Sequence, residues 1–375
     1  MNAVPGRPRR PSLMRIGSPD SVLAVVPGLL GFHPDRSLVV AGAGEPRGRI
    51  QVAFRYDLPE PPDPGGAGKI AAHAVSILAQ QRLTLAIVVG YGPGPMVTPV
   101  ADALVSGLRQ AGITLHDMLR VENGRYWSYT CRNPRCCPPE GTPFDPAAHP
   151  VAATMAATGN RALRDRAELA ATIAPLSGLD ADTMRRATRS AEQSVIDLVR
   201  KGAAAGRQRE AVQRILDEGL RAVSAVVRIY RQGDSITDTA QLARLAVALT
   251  DLRVRDDAWA RMVPEFAEAH LRLWTDVVRR VPARYVPAPA SLLAFVAWQM
   301  GSGALANIAV ERALAADPAY SMASLLSEAI SAGLPPSAAR LPMTPEEVAA
   351  SYASFNGGDA ATDEFAPPSD GRDEP

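Results

Sequence analysis

The chain has 375 residues, enough for two domains of ordinary size with separate cores. With 40 Lys+Arg against 39 Asp+Glu its formal charge is +1, so no strong field marks it for nucleic acid or an anionic membrane, and neither is expected as a partner. No apolar run approaches the ~20 residues needed to cross a bilayer.

The opening, "MNAVPGRPRRPSLMRIGSPD", is basic but lacks the apolar h-region of a secretory signal, and residues 1–18 read as a disordered arm. Its arginines carry little information, because Lys69 and Lys201 are the only lysines and arginine supplies nearly all positive charge throughout. That bias, with abundant Ala, Pro and Gly, has the look of a GC-rich genome.

Residues 19–148 mix strand and helix patterns and predict an α/β domain with a mixed sheet. "SVLAVVPGLLGF" predicts a short apolar helix broken near Pro27 and Gly28. "SLVVAGA" and "IQVAFRYDL" are strand-like runs on either side of "GEPRG", a hairpin signal. "KIAAHAVSILAQQ" has helical spacing, and the continuous apolar run "TLAIVVGYG" suits a strand buried on both faces. "MVTPVADALVSGLRQAG" returns to helical period and stops at Gly112. "ITLHDMLRVENGRYWSYTC" then predicts two strands around Asn123-Gly124, the strongest short hairpin signal.

From His149 onward strand signals nearly vanish, and residues 149–340 predict an all-helical, repeat-like domain. Asp182 and Asp238 fit first-turn or capping positions, and Pro264 a first helical turn. "SLLAFVAWQMGSGALANIAVERALAADPAYSMASLLSEAISAG" resembles one tetratricopeptide-like helical hairpin and the start of the next, with small Ala306 and Ala313 where helices would approach. The large-then-glycine signature of that repeat is missing, since Ala290 and Ala294 stand near those positions. Residues 341–375 are acidic and poor in apolar content, and read as a disordered tail.

All three cysteines fall in "RYWSYTCRNPRCCPPEGTP", Arg125 to Pro143. An odd, clustered set does not make a disulfide framework, and a cytoplasmic location is expected. Strand alternation would put Arg125, Trp127, Tyr129 and Cys131 on one face. "RNPR" is turn material, so Cys131 and Cys136 are expected to meet across it, while Cys137, if the chain is extended there, points away. Three chemistries remain open. Cys131, Cys136 and Cys137 can ligate a metal, zinc first, with His149 as a further ligand. Arg125, Arg132 and Arg135 can favour a reactive thiolate. The cysteines can also pack as small hydrophobes in a stiff turn. The aromatics can likewise pack, or, interleaved with arginine, stack on a flat ligand.

Two loops are secondary candidates. "VVGYGPGPM" joins strand to helix, where Gly90, Gly92 and Gly94 would allow a phosphate to approach, although Pro93 and Pro95 remove two donors. "GFHPDRS" places His33 beside Asp35 without a nucleophile motif.

"VLAVVPGLLGFHPDRSLVV" followed by "RYWSYTCRNPRCCPPEGTP" resembles an uncharacterised actinobacterial family, domain-of-unknown-function family 4192, over most of the chain. The resemblance implies no activity, substrate or cofactor. The expected function is therefore a non-enzymatic regulatory or protein-binding role, with a protein partner on the helical half. The alternative is an enzyme acting on a small phosphorylated or nucleotide-like ligand at residues 90–95.

Overall fold

The computed structural model describes residues 18–44, 49–60, 63–157, 161–336 and 344–358. Residues 1–17 of the expected arm, the "GEPRG" turn from Glu45 to Gly48 and the end of the expected tail lie outside them. The chain divides into two compact units. The first runs to Thr172 and also takes in Ser302–Leu305 and Glu328–Pro335; the rest forms the second.

In the first unit, α1 (Pro19–Leu30) starts where Ser18 Oγ accepts from Ser21 N and ends at Gly31 with φ +80°. The helix does not break at Pro27. A proline removes one backbone bond, but the buried run Val22–Val26 with Leu30 keeps the helix continuous through it. Strands β1 (Ser37–Gly44) and β2 (Arg49–Asp57) pair antiparallel, α2 (Pro64–Gln80) follows, and β3 (Leu85–Tyr91) pairs with β1. Helix α3 (Gly94–Gln110) then crosses over to β4 (Thr114–Glu122), which lies parallel to β3. β4 turns into β5 (Arg125–Ser128) at Asn123 and Gly124, whose φ values of +50° and +71° are those of a type I′ hairpin.

A short strand missed by the sequence reading, β6 (Thr142–Pro143), completes the six-stranded order β2-β1-β3-β4-β5-β6. Proline is tolerated at this edge position because no outer strand needs its missing N–H.

Both faces of the sheet are covered. Leu38, Val40, Ala86, Val88 and Met118 pack with Val97, Val100, Leu104 and Leu108 of α3 and Ala71, Ala74 and Leu78 of α2. Each fully buried side chain of leucine or valine size contributes roughly 1.5–3 kcal/mol. On the other face Val22, Val25 and Val26 meet Val39, Ala41, Ile87 and Val89. Burial on both sides explains why β3 reads as an unbroken apolar run. After β6 come α4 (Pro150–Ala157) and α5 (Arg166–Ala171). Between them Leu163 bridges to Phe32, with His33 N donating to Leu163 O at 3.0 Å and Leu163 N to Gly31 O at 2.8 Å.

The second unit is helical: α6 (Leu179–Ala204), α7 (Gln208–Arg231), α8 (Thr239–Ala248), α9 (Leu252–Ala260), α10 (Ala267–Arg280) and α11 (Pro287–Gln299). They are followed by α12 (Gly303–Ala316), α13 (Ser321–Ser331) and α14 (Pro345–Gly358), of which parts of α12 and α13 belong to the first unit. Asp182 lies in the first turn of α6, Asp238 caps α8, and Asp251 caps α9. Helix α11 is buried from Pro287 to Trp298, so it is apolar all round. Helix α14 occupies part of the stretch expected to be tail. It is held by buried Val348 and by Tyr352 Oη donating to Asp256 at 2.7 Å, contacts that composition alone does not reveal.

Candidate thiol site

The cysteine loop is the connection between β5 and β6, and each of its limbs is anchored. On the outgoing limb Tyr129 N donates to Met118 O at 2.8 Å, which extends the β4–β5 ladder beyond Ser128. Ser128 Oγ accepts from Thr130 N at 3.2 Å and Cys131 N at 3.0 Å, an ST turn that bends the chain out of the sheet. Asp117 Oδ1 on β4 accepts from Met118 N and from Thr130 Oγ1, both at 2.9 Å.

The turn itself is organised by Asn133. Its Oδ1 accepts from Arg135 N at 3.0 Å, and its carbonyl accepts from Cys136 N at 3.2 Å and Cys137 N at 2.8 Å. The returning limb is braced from β5. Arg125 Nη1 donates to Gly141 O at 2.8 Å, and Trp127 Nε1 donates to Pro139 O at 2.9 Å. The Arg120 guanidinium lies over the Trp127 ring, 3.7 Å from its centroid.

Three thiols converge here. The Sγ atoms of Cys131, Cys136 and Cys137 all lie within 4.8 Å of one another, and those of Cys131 and Cys136 are 3.1 Å apart. Cys136 is exposed and the other two are half-buried. The expectation that Cys137 points away is therefore wrong. It assumed an extended chain, whereas the shared Asn133 carbonyl curls residues 133–137 into a turn, where neighbouring side chains can converge.

The three thiols are unequal. Cys131 is held below the usual thiol range, first by the hydrogen bond from Cys136, then by a backbone donor at Asn133 and by Cys137. Cys136 is shifted upward, chiefly by its hydrogen bond to Cys131. Burial, then the two neighbouring sulfurs, pushes Cys137 up to about 12. Asp117 opposes the Cys131 thiolate through its negative charge.

The other sequence candidates are placed apart. His149 is not in the thiol cluster; its Nδ1 accepts from Val151 N at 3.2 Å at the start of α4. Arg125 and Trp127 support the loop as above, and Tyr129 reaches into the core of the first unit, with its hydroxyl 2.7 Å from Thr98 Oγ1. At the strand-to-helix turn, a Cβ on Gly90 would lie 2.3 Å from Val97 Cγ1. Gly92 N donates to Val121 O, and Met96 N and Val97 N donate to Pro93 O. His33 is exposed and lines a cavity of about 240 Å³ with Ala24, Pro27, Gly28, Met155 and Arg161.

Asp117, Ser128 and Asn133 were not singled out from the sequence. Only Asn133, preceding a proline, carried a recognisable turn signal. Asp117 sits in a strand-like run, where nothing local announces that it will reach across to β5.

A metal fits this donor set. Thiolates are soft ligands that suit zinc, and four sulfurs about 2.3 Å from zinc stand about 3.8 Å apart along each tetrahedral edge. Three sulfurs within 4.8 Å of one another are near the spacing of one such face, which leaves the fourth position to a ligand outside the cluster. No helix among the described residues is long and apolar enough to cross a membrane.

No curated protein and no solved structure matches this chain. A family model described as "Domain of unknown function (DUF4192)" matches residues 19–337. Covering most of the sequence, including both motifs and the whole thiol loop, that match shows that the chain belongs to the DUF4192 family.

Proposed function

We propose that this chain is a non-enzymatic regulatory protein of the cytoplasm whose β5–β6 loop holds a thiophilic metal ion, with zinc the first candidate. The observation that carries this reading is the convergence of three sulfurs within 4.8 Å in a loop anchored at both limbs. An ion there would cross-link the two sides of a turn that otherwise rests on a few hydrogen bonds, and its binding energy would add to folding. The helical unit is the proposed partner-binding part.

The alternative, an enzyme acting on a phosphorylated or nucleotide-like ligand at residues 90–95, has less support. Pro93 and Pro95 have no N–H, the Gly92, Met96 and Val97 N–H groups are bonded to carbonyls, and Val97 fills the space above Gly90.

Metal analysis of the full chain, purified under reducing conditions and reconstituted with zinc, tests the reading. The expected result is about one zinc per chain, the stoichiometry of a single-ion site. Cys131→Ser should lose it. A reduced, folded protein that takes up no zinc would overturn the proposal.

A further inference from the structure

We infer that Cys131 and Cys136 are a modification site for hydroperoxides: oxidation joins the two sulfurs as a disulfide and expels the bound ion. This rests on the metal reading of the same loop and adds how the site is regulated.

The geometry selects this pair among the three possible. The Cys131 and Cys136 sulfurs stand 3.1 Å apart, so closing to a disulfide length of about 2.05 Å needs a movement of about 1 Å. Cys136 and Cys137 are adjacent, and consecutive Cα atoms about 3.8 Å apart fall below the lower limit of about 4.4 Å for an ordinary disulfide. Cys137 is also half-buried. Cys136 is exposed and open to a small oxidant. The turn residues 132–135 already hold the two sulfurs face to face, so little further chain ordering is required.

The chemistry balances with a hydroperoxide as the oxidant. In the metal-bound state both sulfurs are thiolates, and the more exposed Cys136 sulfur attacks the peroxide; the O–O bond breaks and a sulfenic acid forms with loss of one water (or alcohol). The Cys131 sulfur then displaces the sulfenic oxygen, which leaves as a second water. Each sulfur loses one electron to oxygen. Starting from two metal-bound thiolates, two protons are taken from solvent, two metal–sulfur bonds break, and the ion departs with its charge unchanged. Cys137 alone cannot retain it, because one thiolate is a weak site.

The test uses the reduced, zinc-loaded full chain with hydrogen peroxide as probe. Zinc release is followed with a chromophoric chelator, and disulfides are mapped by mass spectrometry of alkylated peptides. The expected result is complete loss of the bound zinc in step with a Cys131–Cys136 disulfide, reversed by dithiothreitol and added zinc. Cys137→Ser, which leaves the pair intact, should still form that disulfide in the metal-free state. Zinc that stays bound under excess peroxide, or release accompanied by a disulfide to Cys137 or by sulfinic acid only, overturns the inference while the metal reading stands. A chain that never takes up zinc removes both.

Discussion

The indole N–H of Trp127 donates to the carbonyl of Pro139 at 2.9 Å, tying β5 to the limb that returns from the thiol turn. Gly141 makes that closeness possible. It sits at φ +80°, and a Cβ there would lie 2.6 Å from Trp127 Cε2.

Gly141→Ala should therefore cost the first unit about 2 kcal/mol or more, combining a left-handed backbone with displacement of the indole. Urea unfolding followed by tryptophan fluorescence measures it. A midpoint equal to that of the unsubstituted chain would show that the indole does not brace this limb.

A second close approach lies at the strand-to-helix turn. Because Val97 Cγ1 would be 2.3 Å from a Cβ on Gly90, Gly90→Ala should overpack the β3–α3 contact at a cost of ~1–3 kcal/mol. Val97→Ala in the same chain should recover part of the loss, since it opens the space the new methyl needs. Thermal melts of the single and double variants decide it; a tolerated Gly90→Ala would mean that space exists above β3 after all.

These two positions show what was legible in the sequence. The alternation of strand and helix, the Asn123-Gly124 hairpin and the doubly buried β3 were all readable, because periodicity and turn chemistry are local. The two-residue β6 was not, since so short a strand has no period and Pro143 argues against one. Helix α1 runs through Pro27 because burial on the sheet outweighs one lost backbone bond. The meeting of Cys131 and Cys136 followed from the turn residues. The inward turn of Cys137 did not, because it depends on a carbonyl three and four residues upstream rather than on strand alternation.

Asp117 is the clearest case of a residue whose role only the fold reveals. Its carboxylate accepts from Thr130 Oγ1 and Met118 N, so it holds the outgoing limb from the neighbouring strand. Asp117→Ala should loosen the loop and raise alkylation of half-buried Cys137 severalfold, with little change in the overall melt, as expected for local opening. An unchanged Cys137 rate would assign the anchoring to Ser128 alone.

In the helical unit His270 is 1 % exposed, and burial, reinforced by the charge of Arg231, lowers its pKa to about 4. The unfolded chain, with histidine near 6.5, binds the extra proton first as pH falls. Stability should therefore be full above about pH 6.5 and decline as pH drops toward 4, by on the order of 3 kcal/mol for a shift of this size. His270→Phe should flatten the profile across that window, whatever its effect at neutral pH. A slope that survives the substitution would place the acid sensitivity elsewhere.

The order of thiol reactivity in the metal-free, reduced chain follows from the same turn that brings the sulfurs together. Cys131 accepts hydrogen bonds from its neighbours and is held low, so it is the most readily ionised of the three. Cys136 is more exposed but shifted upward by donating to Cys131. Cys137 is half-buried and pushed up to about 12. Limiting iodoacetamide with peptide mapping should therefore modify Cys131 first, Cys136 next and Cys137 last. Raising the pH should narrow the gap between Cys131 and Cys136 while leaving Cys137 slow until near its own pKa. Zinc should suppress all three rates together, because the ion and the reagent compete for the same thiolates. If Cys137 were modified first, it would have to point outward, and the Asn133-centred turn that directs it inward would be wrong.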